Sequence, residues 1–251
     1  MNENIFDGIA NIYDKYRPSY PRELFTYLCS DIGMNRSSKI ADIGSGTGIL
    51  SKELTNICEI VYAIEPNNDM RMMAESNLVS KNNFVSINAT AEATTLPDKC
   101  VNYITAAQSF HWFNRVAFKK ECQRILKNKG RVLLIWNCRN EKNEIVQAID
   151  SISQKFCPTF SGSSNGMRGA TSENDYNDFF SGNYNTKFFD NPIIFNLEGF
   201  LGLHQSASYC PPKNSINYIK YIENLTNFFE THSSNGILVL ENSVHCYIGY
   251  V

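Results

Sequence analysis

Apolar positions along the first two-thirds of the chain switch between two spacings. Ile5, Ile9, Ile12 and Tyr16 recur at the period of one helix face. Arg17-Pro18 ends that helix, because the residue before a proline avoids the α region. Pro21 suits the first turn of a second helix carrying Leu24, Phe25 and Leu28. Short, continuous apolar runs follow at residues 40–43, 60–64, 84–87, 101–107 and 132–136. Runs with no polar alternation predict parallel strands buried on both faces. Helical spacing returns between them, first in Ile49, Leu50 and Leu54, then in Met70, Met73 and Leu78. A third helix is predicted from Val116, Cys122, Ile125 and Leu126, closed by Asn128-Lys129-Gly130 as a glycine C-cap. Strand and helix in alternation predict right-handed crossovers and a doubly wound α/β sheet.

Beyond Trp136 the rhythm changes. Ile145, Val146, Ile149, Ile152 and Phe156 predict a helix, and residues 161–169, rich in Ser, Gly and Asn, predict a loop long enough to act as a lid. Strand-like residues at 188–196 and 237–251, with a helix at 216–229 between them, predict closing strands of the same sheet.

Composition narrows the class. Of 251 residues, 43% are hydrophobic and 19% charged, which is ordinary for a folded chain. A formal net charge of -2 gives no general attraction for phosphate backbones, so nucleic acid is not an expected partner. The 8 cysteines are scattered and never form a CxxC pair, which fits neither a zinc site nor a disulfide framework, and no metal is expected. The first residues lack the pattern of a secretory signal, and no apolar run reaches the length of a membrane span. The expectation is a cytoplasmic protein with no membrane partner. Nothing in the sequence fixes its oligomeric state.

The segment Ala41-Asp42-Ile43-Gly44-Ser45-Gly46-Thr47-Gly48-Ile49-Leu50 runs from a predicted strand through a glycine turn into a predicted helix. A dinucleotide fingerprint reads GxGxxG, with its third glycine packing helix on strand. Here the pattern is GxGxG and Ile49 stands at that place. Asp42, just before the loop, opposes a pyrophosphate and favours a cationic amino-acid ligand. Glu65, after the second strand, is placed to accept hydrogen bonds from a ribose diol. Glu92, past the third strand, is the third acidic element. Ligands of open α/β sheets bind at the carboxyl ends of strands, so the three carboxylates are expected to converge on one crevice.

These residues resemble the class I methyltransferase family, and within it the small-molecule branch related to trans-aconitate methyltransferase. The resemblance runs through Tyr13-Asp14-Lys15-Tyr16-Arg17-Pro18-Ser19-Tyr20-Pro21, the glycine loop, Glu65, Ala91-Glu92-Ala93-Thr94-Thr95-Leu96-Pro97 and Ala106-Ala107-Gln108-Ser109-Phe110-His111-Trp112-Phe113, about half the chain. It implies a Rossmann-like seven-stranded sheet, mostly parallel, with an antiparallel strand near the C-terminus. It implies one domain over 1–251, with a helical lid at 1–35, a cofactor core at 36–137, acceptor-side helices at 138–235 and a final strand at 236–251. It implies S-adenosylmethionine as cofactor, S-adenosylhomocysteine as product, and a small-molecule methyl acceptor. By position, Asp42 and Gly44, Ser45, Gly46, Thr47 and Gly48 take the methionine part, Glu65 the ribose, and Ala91 and Glu92 the adenine. Gln108 lies beside the methyl donor, and Tyr13 and Arg17 form the lid.

The acceptor side is less defined. His111 is the candidate base, and Phe110, Trp112 and Phe113 are candidates for shaping the acceptor pocket. Their plainer reading is core cover and a hydrogen-bonded structural histidine. A carboxylate acceptor needs only cationic orientation, for which Arg139 and Arg168 are the candidates, with solvated surface as their plainer reading. Two other classes stay open on sequence grounds: a protein that binds the cofactor without catalysis, and a nicotinamide-dependent oxidoreductase on the same sheet.

Overall fold

The computed structural model describes residue 8, residues 10–162 and residues 171–251. A sheet of seven strands runs in the order β3-β2-β1-β4-β5-β9-β6, with β1 at Lys39–Ile43, β2 at Ile60–Ile64, β3 at Phe84–Ile87, β4 at Val101–Ala107, β5 at Leu126–Arg139, β6 at Tyr184–Asp190 and β9 at Asn242–Gly249. β1 to β5 pair in parallel, and β9 inserts antiparallel between β5 and β6. That is the mostly parallel, doubly wound order with one reversed strand near the C-terminus.

Both faces of the central strands are covered, which is why these strands read as unbroken apolar runs. On one face Ile43, Ile104, Ala106, Leu134 and Trp136 pack against α5 (Arg115–Ile125) and α7 (Glu173–Phe180). On the other, Ile40, Val61, Leu133, Ile135 and Val244 meet Leu24 and Leu28 of α2 (Arg22–Ser30) and Leu50 and Leu54 of α3 (Ile49–Leu54). A third apolar core joins α6 (Glu144–Phe156), α8 (Leu197–Gln205) and α9 (Ile216–His232) around Ile149, Phe200, Leu203, Tyr221 and Leu225. α1 (Ala10–Tyr16) packs on α8 and on α4 (Asn68–Asn77), so it bridges the third core and the sheet.

Two expectations are corrected. Gly130 is no C-cap: α5 ends at Ile125, Leu126 is already extended, and Gly130 lies inside β5. A Cβ on Gly130 would stand 2.8 Å from the Leu126 side chain and 2.9 Å from the Lys127 carbonyl oxygen, so close backbone approach requires the glycine. The late strands also do not all join one sheet. Asn191-Pro192 interrupts the run after β6, and β7 (Ile193–Phe195) pairs with β8 (Leu238–Leu240) in a separate ribbon. Proline has no N–H to give a ladder, and the chain leaves the sheet there. The predicted lid loop at 161–169 falls, after its first two residues, outside the described residues, as do Arg168, Ile5 and Ile9. No helix among the described residues is long and apolar enough to cross a membrane.

Candidate functional site

The carboxyl ends of β1, β2, β4 and β5 open into a cavity of about 220 Å³, roofed by α1 and α8. The glycine loop forms its floor. Gly44, Gly46 and Gly48 take φ of 65°, 57° and 83°, values that L side chains rarely adopt. A Cβ on Gly44 would lie 2.6 Å from Ser109 Cβ, so the tip of β1 and the end of β4 touch through bare backbone. Beyond Gly46 there is open space instead. Gly44, Ser45, Gly46 and Thr47 line the cavity, whereas Gly48 turns away from it to pack on Ala74 and Leu78 and start α3.

Asp42 lies under this loop, 1% exposed. One carboxylate oxygen accepts the Ser51 hydroxyl at 2.6 Å, the other the Thr105 hydroxyl at 2.8 Å. Burial pushes its pKa up to about 6, against the pull of those two bonds. Glu65 lies across the loop at the end of β2. Its carboxylate accepts the Gly46 N–H and the Asn67 N–H, both at 2.9 Å, so it fixes the glycine loop from the side. Burial raises its pKa, while those N–H groups and Arg71 draw it back. A carboxylate offers about four lone-pair sites, so two accepted bonds leave capacity for a diol.

The predicted residues do not all meet. Tyr13, Arg17, Asp42, Glu65, Ala91, Gln108, Trp112 and Arg139 line the cavity with the loop. Glu92 stands apart: its Oε1 accepts the Asn114 N–H at 2.8 Å and ties the Ala91 segment to the start of α5. The convergence of three carboxylates therefore reduces to two. Phe110 is wholly buried among Phe113, Phe118, Tyr176 and Phe179 and does not reach the cavity. His111 is also outside the lining. Its ring lies 4.9 Å from Trp112 and 5.3 Å from Trp136, its Nδ1 is buried without a partner, and burial lowers its pKa to about 4. A neutral ring packed between two indoles is a core histidine, but without the hydrogen bond at Nδ1 that the plainer reading expected.

Other parts were not foreseen. Asn67, Tyr20, Asn137, Ser208, Tyr209 and Asn242 also line the cavity. Asn67 had a legible signal, since it caps α4 by accepting the Met70 N–H at 3.0 Å, an Asx cap one residue before a helical run. Asn137 sits at the end of β5, where the strand-end rule points. Ser208 and Tyr209 come from the segment after α8 and carried no local signal.

Three polar atoms of cavity-lining residues are buried with no hydrogen-bond partner: Arg17 Nε, Ser45 Oγ and Thr47 Oγ1. Orphaned polar groups of this kind are rare and call for a partner. The Arg17 guanidinium stacks 4.6 Å from the Tyr13 ring, and its Nη2 donates to the Ser206 carbonyl at 3.3 Å, so α1 is held over the loop. Gln108, with φ of 57°, turns the chain out of β4 and donates through Nε2 to the Asn137 carbonyl at 3.3 Å.

Comparison with known proteins places this geometry. Residues 41–134 match the family model described as a methyltransferase domain. A Mycobacterium tuberculosis protein named an uncharacterized methyltransferase is 30% identical over 147 residues, covering 59% of this chain and 58% of its own. One from Schizosaccharomyces pombe, named likewise, is 28% identical, covering 57% and 56%. This chain thus spans a little under six-tenths of the length of these curated relatives. A solved structure from Anaeromyxobacter dehalogenans, described as a type II methyltransferase, superposes with a TM-score of 0.65 at 18% identity, covering 94% of this chain and 98% of its own. That likeness extends the methyltransferase fold past the matched segment to nearly the whole chain.

Proposed function

We propose that this methyltransferase domain binds S-adenosylmethionine and moves its methyl group to a small molecule bearing a carboxylate. The observation that carries the reading is the ring of unpartnered polar atoms, Arg17 Nε, Ser45 Oγ and Thr47 Oγ1, around a bare glycine floor flanked by two buried carboxylates. The residues fit the cofactor in kind. Glu65 is assigned to the ribose hydroxyls, the loop from Gly44 to Thr47 to the amino-acid part, Arg17 to its carboxylate and Ala91 to the adenine. Glu92 acts through its hold on the Ala91 segment. When bound, the cofactor supplies a methyl group already activated on a sulfonium.

The chain's own task is then alignment and exclusion of water, which in favourable cases lowers barriers by about 7–11 kcal/mol. Asp42 keeps negative charge beneath the loop above pH about 6 and so favours a cationic ligand. Tyr13 and Arg17 close the roof, and Trp112 offers an aromatic wall. A carboxylate is ionised at neutral pH and asks for no base, which agrees with the removal of His111 from the cavity. Incubation with methyl-labelled cofactor and a panel of small carboxylic acids tests this. Label recovered as a base-labile ester, and lost with Glu65→Ala, supports it; no transfer to any acid removes the carboxylate.

A further inference from the structure

Three asparagines join the ends of β5, β6 and β9 beside the acceptor end of the cavity. Asn191 Nδ2 donates to the Ser19 carbonyl at 3.0 Å and to Asn137 Oδ1 at 2.9 Å. Asn242 Nδ2 donates to the Asn191 carbonyl at 3.1 Å and to the same Asn137 Oδ1 at 2.9 Å. A side-chain NH2 has two hydrogens, and all four of these are engaged. The two backbone carbonyls can only accept, so Asn191 and Asn242 have their NH2 groups fixed toward them. Asn137 must therefore turn its oxygen to both, and this settles an amide orientation that ordinarily rests on assignment.

What remains of Asn137 is its NH2. Among the described residues it donates to no protein acceptor, and Asn137 lines the cavity. Arg139 follows two residues later on the same face of β5 and lines the cavity as well. This wall therefore offers donors, with positive charge beside them. An amine acceptor would set N–H against N–H here and leave these donors without a ligand acceptor. A carboxylate oxygen satisfies them.

We propose that Asn137 is a specificity-determining residue, its NH2 locked by Asn191 and Asn242 as a donor to a carboxylate oxygen of the methyl acceptor. This rests on the methyltransferase reading and names the residue that selects an oxyanion over an amine. The test is calorimetric titration of succinate into protein already saturated with S-adenosylhomocysteine, so that the cofactor's own carboxylate subsite is filled. Wild type is expected to bind succinate, and to bind neutral succinamide more weakly. Asn137→Asp keeps the two accepted bonds but replaces the donor by an oxygen. It is expected to weaken succinate about tenfold or more, with S-adenosylhomocysteine affinity held within about twofold. Asn137→Ala, which loses the donor without adding charge, is expected to fall between. Absence of succinate binding to saturated wild type, succinamide binding as tightly as succinate, or unchanged affinity in Asn137→Asp overturns the proposal alone. Failure of S-adenosylhomocysteine to bind wild type overturns the reading beneath it and the proposal together.

Discussion

At the scale of single residues, the two buried carboxylates of the cavity have different work. Glu65 fixes the loop through Gly46 and Asn67 and keeps lone pairs for a ligand. Glu65→Ala is expected to weaken S-adenosylhomocysteine at least about tenfold, since bonds to a charged acceptor contribute about 1.5–3 kcal/mol each. Titration calorimetry reads this, and an unchanged constant takes Glu65 out of the site. Asp42 is tested by pH. Its folded pKa of about 6 lies above the ordinary 3.8, so the folded chain holds the proton longer than the unfolded chain does. Its contribution to stability therefore falls as pH rises from about 4 to about 6, by on the order of 3 kcal/mol. His111 has the opposite sign: lowered from 6.5 to about 4, it costs stability as pH falls through that window. Asp42→Asn isolates the acid. The variant's thermal midpoint is expected to gain on wild type from pH 4 to pH 7, and parallel curves would show that Asp42 titrates normally.

Among elements, α1 is the part whose placement depends most on one small residue. A Cβ on Gly202 of α8 would stand 2.3 Å from Tyr16 Cδ2, so the Tyr16 ring lies in a notch that only glycine leaves. The Lys15–Glu198 pair nearby is mostly exposed and adds little. Gly202→Ala is expected to favour the helix locally yet loosen the roof, at a net cost of about 1–3 kcal/mol. Faster hydrogen exchange over residues 10–16, with exchange in β1 unchanged, is the expected result; equal exchange in both proteins denies α1 its dependence on the notch. The first five strands and α3 to α6 were legible because burial on both sheet faces writes continuous apolar runs with helical spacing between them. α8 was not, because Gly199 and Gly202 dilute its pattern, and Gly202 serves a contact with Tyr16 made far along the chain. α7 carried a readable capping box at Ser172 and Asp175, masked by its abundance of polar residues. Phe110 and His111 were misplaced for a related reason. The end of β4 points at the cavity, but the 3-10 turn after it carries Phe110 into the core while Trp112 stays on the lining.

Across the whole molecule, one cavity joins the loop at the strand ends to a roof drawn from α1 and the region of α8. The cofactor side of that cavity was legible because it is local: a strand, a turn and a helix within one stretch. The opposite side is assembled from β5, β9 and the region of α8, whose residues are remote in sequence, and only Arg139 of that set was foreseen. Everything depends on the cavity taking a sulfur nucleoside. Thermal unfolding of wild type with S-adenosylhomocysteine or with nicotinamide dinucleotide measures that most directly. Binding at about 100 times the dissociation constant stabilises by about 2.7 kcal/mol. A clear rise in midpoint with S-adenosylhomocysteine alone is the predicted result; a rise with the dinucleotide alone, or with neither, would contradict the account.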